Sequence, residues 1–362
     1  MTRMEITSDN LSAVKLWAKK LTLEVRDFTP IAPLIGENED AIIHLKTATQ
    51  KGKGDRITFD LLGLLDKDGV TEGEKLEGQE EIAQIYTDSL VINQLRTAVA
   101  VPADGTIDEQ RASFNMQEKA NKMLRNWFSR RLSIAAHLHW AGYTGDEVTI
   151  EGKKYKLSGV HYGFNKPTAP TKKRHLIANN KSSENELSEQ DRFSLKHIDE
   201  AIMLAKTSNP TMQPVTINGD KVFVMYLHPA QVKDLRSNCD GGQWLDIQKS
   251  AYAGSRSKNP IFDGSLGMYN GVILREAVHV MPGLNNERKM KLNTRRAVLL
   301  GAQSLAVAFG RNMDHSYFKI IKETKDYENE LGFACSTLFG IKKTKFNNED
   351  YGTIVVSTYS DL

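Results

Sequence analysis

From Thr106 to Ala141 the chain contains neither glycine nor proline, and Met116, Ala120, Met123, Leu124, Trp127, Phe128, Ile134, Ala135 and Leu138 recur there at spacings of three and four. That is the period of a helix with one apolar stripe. Thr106 and Glu109 have the spacing of a capping box, and Gly142 stands where a helix C-cap is wanted. At 1.5 Å per residue one uninterrupted helix would be on the order of 50 Å long. A small globule cannot bury a rod of that length, so the pattern predicts a beam across a thin domain.

Ahead of the beam lies Lys51 to Tyr86, glycine-rich and dense in both charges. Its acids half imitate a calcium loop: counted from Asp66, positions one, three and twelve are Asp66, Asp68 and Glu77. Position five is Val70, which has no side-chain oxygen, and position six is Thr71, where the loop needs glycine. No Gly-Lys-Ser/Thr follows, so a phosphate loop is not indicated either. Arg56 to Leu61 alternates, with Ile57, Phe59 and Leu61 on one side, and Ile82 to Val101 recurs near period two. Two strand limbs around a polar middle predict a long protruding hairpin, neither limb being apolar enough for a core strand.

The remaining chain carries elements of both kinds. A short amphipathic helix is expected over Ser8 to Arg26, then an extended arm after Pro30 and Pro33. From Tyr143 to Asn185 the sequence is irregular, with a hairpin turn at Glu151 and Gly152. Helices are expected at Glu189 to Lys206, Pro229 to Asn238 and Trp244 to Tyr252, and strands at Val222 to Leu227, after the Asn270-Gly271 turn, at Ile320 to Glu323 and at Thr353 to Thr358.

Several function classes are disfavoured. The 362 residues carry a net charge of +3, far short of the excess typical of a phosphate-gripping surface. The densest basic run, Lys172, Lys173, Arg174 and His175, reads as a solvated loop. Ala297 to Phe309 is too short to span a bilayer, no membrane partner is expected, and the N-terminus lacks a secretory core. Two cysteines, Cys239 and Cys335, support neither a disulfide framework nor a four-cysteine zinc site. His137 and His139 point about 200° apart on the helix and cannot share a metal, so a core or interface role is expected. Cys239 with His228 or His279 as base would be the best enzyme candidate, but nothing fixes the pairing. Adjacent Glu80 and Glu81 face opposite ways on a strand. No catalytic, cofactor or metal residues are assigned.

Taken together, the block KGKGDRITFDLL, the run GVTEGEKLEGQEE, DGSLGMYNGVILRE (263–276), RAVLLGAQSLAVAFG (296–310) and FGIKKTKFNNEDYGTIVVSTY (339–359) resemble the major capsid proteins of N-four-like tailed bacteriophages. The match is weak over Gly142 to Gln190, read as an insertion. The resemblance implies an α+β chain with the Hong Kong 97-type capsid fold. Its parts would be an N-terminal arm (1–50), an E-loop hairpin (51–101), a P-domain (102–214) with spine helix 106–141, an A-domain (215–311) and a return to the P-domain (312–362).

The function implied is a major capsid protein, not an enzyme, that self-assembles through pentamers and hexamers into an icosahedral shell enclosing double-stranded DNA. Assembly would take place in the host cytoplasm and end in the virion capsid. The partners implied are the chain itself, then portal, scaffolding or decoration proteins, with weak non-specific contact to packaged DNA. The inter-subunit contact residues expected in the E-loop are Lys51, Lys53, Arg56, Asp66, Lys67, Asp68, Glu72, Glu74, Lys75 and Glu77. The rival readings are a decoration or tail protein and a cysteine-dependent enzyme.

Overall fold

A computed structural model describes residues 31–46, 55–62, 69–80, 85–103, 106–111, 116–217, 219–239, 241–255, 265–310, 318–327 and 329–361. The helix expected over Ser8 to Arg26 lies outside them.

The described residues are helical over Ile107–Arg111 and over Met116–Trp140, the latter 25 residues or roughly 37 Å; residues 112–115 lie outside them. The Thr106 hydroxyl donates to Ala103 O at 2.8 Å, tying this start to the preceding strand. At the far end Gly142 takes φ +57°, Gly142 N–H donates to His139 O at 3.1 Å and Tyr143 N–H to Leu138 O at 3.0 Å. This is a Schellman stop, and a Cβ on Gly142 would also lie 2.7 Å from Thr168 O. Ala120, Leu124, Phe128, Ala135 and Leu138 form the buried row, whereas Met123 is 59% exposed because it sits one residue off that row. After Arg131 the helix is buried all round, including Ser133, His137 and His139.

The main helix lies against a six-stranded sheet whose centre is the long strand Glu330–Lys343. Along one edge that strand pairs antiparallel with Asn93–Pro102; along the other it pairs with Phe318–Lys325 and Leu305–Phe309. Ile43–Lys46 then adds parallel to Leu305–Phe309. The second limb expected of the hairpin is thus two strands. Ile85–Val91 pairs with Arg56–Leu62, while Asn93–Pro102 turns into the sheet and buries Leu95 and Val101. The expectation that neither limb reaches a core therefore fails for residues 93–102, where alternation on one face suffices because the other face is open.

An eight-stranded sheet forms the second layer, ordered Ser265–Tyr269, Val272–Glu276, Asp220–Leu227, Met290–Leu300, Thr353–Tyr359 and His175–Ile177, with two short flanking strands. Asn270 and Gly271, both at positive φ, make the expected turn. Asp220–Leu227 is apolar on both faces. Val224 and Tyr226 join the core shared with the long helix, and Met225 and Leu227 pack with Ile198, Ile202 and Leu235 of the helices Leu195–Thr207 and Pro229–Asn238. Trp140 joins the layers: its indole stacks on Tyr226 at 5.7 Å, and its Nε1–H donates to Ser304 Oγ at 3.0 Å. Ser304 in turn donates to Ile42 O at 2.9 Å.

The irregular segment 142–190 is bound into this frame. Buried Glu184 accepts from Arg296 Nε at 2.7 Å and Nη2 at 2.8 Å, from Ser357 Oγ at 2.6 Å and from Leu284 N–H at 2.7 Å. Arg296 spends its remaining donor on Ala141 O and Gly142 O, the end of the long helix. The basic run 172–175 is not a solvated loop throughout. Lys172 and Lys173 are exposed, but Arg174 is buried and donates to Pro210 O, and His175 begins a strand and bonds Ser357 Oγ at 2.8 Å. A sheet edge at Thr353–Tyr359 had to be covered, and this segment covers it.

Candidate assembly interface

The hairpin Arg56–Leu62 and Ile85–Val91 has a fixed root and an exposed tip. At the root Phe59 and Leu90 pack with Ala306, Ala308 and Phe346, and Lys46 Nζ lies 5.0 Å from the Phe59 ring centre. Asn165 closes a reciprocal pair with the strand end: Val91 N–H donates to its Oδ1 at 3.0 Å and its Nδ2 donates to Val91 O at 2.9 Å. Lys342 ion-pairs with Asp88 and donates to Ser89 O at 2.9 Å. Gly340 permits the approach, since a Cβ there would lie 2.2 Å from Val91 O.

At the tip every residue from Thr71 to Glu80 is exposed. Its turns are closed by Glu74 N–H donating to Thr71 O at 3.0 Å and Gln79 N–H to Leu76 O at 2.9 Å. Carboxylates reinforce them, Glu74 accepting from Thr71 N–H at 3.2 Å and Glu80 from Gly78 N–H at 2.7 Å. Of the expected contact residues, Arg56, Glu72, Glu74, Lys75 and Glu77 are exposed on this hairpin. Lys51, Lys53, Asp66, Lys67 and Asp68 lie outside the described residues. Asn165, Gly340 and Lys342, which set the root, were not singled out from sequence. Gly340 and Lys342 fall in the Phe-Gly-Ile-Lys-Lys block, but the partner of Asn165 is 74 residues away and leaves no local trace.

The groups that a cysteine enzyme would need are committed elsewhere. His228 Nδ1 accepts from Ala230 N–H at 3.2 Å as a helix cap, and His279 Nδ1 bonds Ser133 Oγ at 2.8 Å on the opposite side of the second sheet. Cys335 is deep in the first core, where burial pushes its thiol up to about 12. His137 and His139 bond the carbonyls of Ser133 and Tyr162 at 2.8 and 2.9 Å. Glu80 is exposed, and Glu81 lies outside the described residues.

Known proteins place this architecture. A family model described as "Phage capsid protein" matches residues 5–362. The major capsid protein of Pseudomonas phage KPP25 is 22% identical, over 94% of this chain and 93% of that protein. The solved capsid of Ralstonia phage GP4 is 28% identical and superposes with a TM-score of 0.81, covering 100% of this chain and 99% of the other. The capsid of cyanophage Pam1, 18% identical with a TM-score of 0.63 over 91% and 92% of the two chains, shares the fold. A hairpin with a fixed root and an exposed tip and a long helix against one sheet agree with these likenesses. The chain belongs to the phage capsid protein family, as a major capsid protein of Hong Kong 97-type fold whose role is structural and not enzymatic.

Proposed function

We propose that this chain closes into pentamers and hexamers, and these into an icosahedral shell around double-stranded DNA, with the hairpin of each subunit clasping its neighbour. Residues 1–50 serve as the arm, 51–101 as the E-loop, 102–214 and 312–362 as the P-domain, and 215–311 as the A-domain. Assembly proceeds in the host cytoplasm, with portal, scaffolding or decoration proteins as further partners and weak contact to DNA from the inner surface. The observation that carries the clasp is the contrast within one hairpin. Its root is held by an apolar cluster and the Asn165 pair, while its tip exposes Glu72, Glu74, Lys75, Leu76 and Glu77. A subunit that spends buried contacts to hold up a polar finger gains nothing in its own stability from the tip. Many weak contacts repeated around each subunit add up through multivalency.

Deleting Asp66 to Glu77 tests this. The expected product is a folded subunit, by circular dichroism, that forms no shells under the electron microscope. Normal particles from the deletion would refute the clasp.

A further inference from the structure

Asn270 is followed by Gly271. With no side chain on the glycine, its amide nitrogen has an open approach to the asparagine carboxamide, which makes such a pair chemically labile. The Gly271 nitrogen attacks Asn270 Cγ and gives up its proton, the Cγ–Nδ2 bond breaks, ammonia leaves, and water then opens the succinimide to aspartate or isoaspartate. Asn270 is exposed, so water has access to it. We infer that Asn270 and Gly271 form a latent self-modification site, and that Asp199 of the helix Leu195–Thr207 is the positioning residue that keeps it shut.

Both turn residues have positive φ, and Asp-Gly or Gly-Gly would serve such a turn without a labile carboxamide. The turn therefore does not need the contact that the asparagine side chain makes. Asn270 Nδ2–H donates to Asp199 Oδ1 at 2.9 Å, tying the carboxamide to another element. The second carboxylate oxygen, Oδ2, accepts from Tyr269 Oη–H at 3.1 Å, so the carboxylate is itself fixed by the neighbouring residue. The main chain is pinned as well, since Phe223 N–H donates to Gly271 O at 2.9 Å. Ring closure needs Cγ swung onto the Gly271 nitrogen in a near-attack arrangement. A tethered carboxamide gives up that swing. The charge on Asp199 acts in the same direction, because negative charge builds on the reacting atoms beside it. Once conversion has occurred, a carboxylate at 270 repels Asp199 and the tether does not re-form.

The sequence carries its own reference in Asn218-Gly219, the other pair of this kind. The full-length protein and its Asp199→Ala variant can be aged in parallel at mildly alkaline pH, digested in acid and mapped by mass spectrometry for the amide-to-acid mass gain at both sites. Asp199→Ala should convert Asn270 at least tenfold faster than the parent chain does, with the rate at Asn218 unchanged. Asp199→Asn, whose carbonyl can still accept from Nδ2, should recover most of the protection. An equal rate at Asn270 in the parent and in Asp199→Ala overturns the inference, since the turn geometry alone then protects. Acceleration of both sites together also overturns it, because Asp199 would then steady the sheet and not this carboxamide. So does an Asp199→Asn rate as fast as that of Asp199→Ala.

Discussion

At Glu184 burial and pairing act in opposite directions on one carboxyl group. Burial alone would raise its pKa; the Arg296 guanidinium, then hydrogen bonding from His175, outweigh burial and hold it far below the usual carboxylate range. Removing the carboxylate strands Arg296 in the core, so Glu184→Ala should cost about 3–5 kcal/mol, measured by urea denaturation of unassembled subunits. Because the folded pKa is depressed, this group's contribution is complete above its unfolded value of 4.5 and is lost as pH falls through the folded one. The histidines act in a higher window. Burial, then the charge of His279, lowers His137 to about 3, and burial lowers His139 to about 4 against the Tyr162 carbonyl bond. Both are neutral in the fold and protonate near 6.5 when unfolded, so stability should begin to fall below pH 6.5, before Glu184 contributes. His139→Gln, which can still donate to Tyr162 O, should flatten the pH dependence of stability between 6.5 and 4; an unchanged slope would contradict this account. The core placement of both histidines was legible in the uncharged run from Leu132 to Gly145, since a helix apolar on every side is a buried helix. The Glu184 pairing was not, because its partner lies 112 residues away.

Among the elements, those with a strong internal period could be read in advance. Pro229–Asn238 is delimited by its proline, and the apolar run Val222 to Leu227 marks all of the strand Asp220–Leu227 but its two charged first residues. The long helix follows its apolar stripe through Met116–Trp140, and Ile107–Arg111 is helical within the same expected span. The most instructive omission is Glu330–Lys343, the axis of the first sheet. Leu331, Phe333, Cys335, Thr337, Phe339 and Ile341 are buried at period two, yet the two intervening glycines and a serine, with Thr337 in the buried row itself, make the stretch look like a turn-rich coil. Its Gly340 and the facing Asn165 set the hairpin root. Asn165→Ala should therefore leave Val91 without two hydrogen bonds, at a cost of about 1–3 kcal/mol. Hydrogen exchange should show protection lost from Val91 and its neighbours while the helix Leu195–Thr207 keeps its own. Uniform loss across the chain would mean Asn165 serves the whole fold and not the hairpin.

For the molecule as a whole, the clasp proposed for the exposed, charged tip at 71–80 would make association depend on charge. Shell formation followed by light scattering should weaken steadily as salt rises from about 0.1 to about 1 M, where the screening length shrinks from ~10 to ~3 Å. Salt-independent assembly would shift the weight to apolar contacts. The subunit's two-sheet plan was legible only through family resemblance, since strand order depends on pairings that join distant parts of the chain. One such pairing governs how the chain is made. Ile43–Lys46 finds its partner at Leu305–Phe309, Asn93–Pro102 finds its own at Glu330–Lys343, and Met290–Leu300 waits for Thr353–Tyr359. Neither sheet can close while the ribosome still holds the last few dozen of these residues, and contacts so distant in sequence form slowly. Synthesis thus acts as an inspection step: a chain stopped short of Glu330 lacks the central strand of one layer and the penultimate strand of the other, and never presents a finished surface to its neighbours.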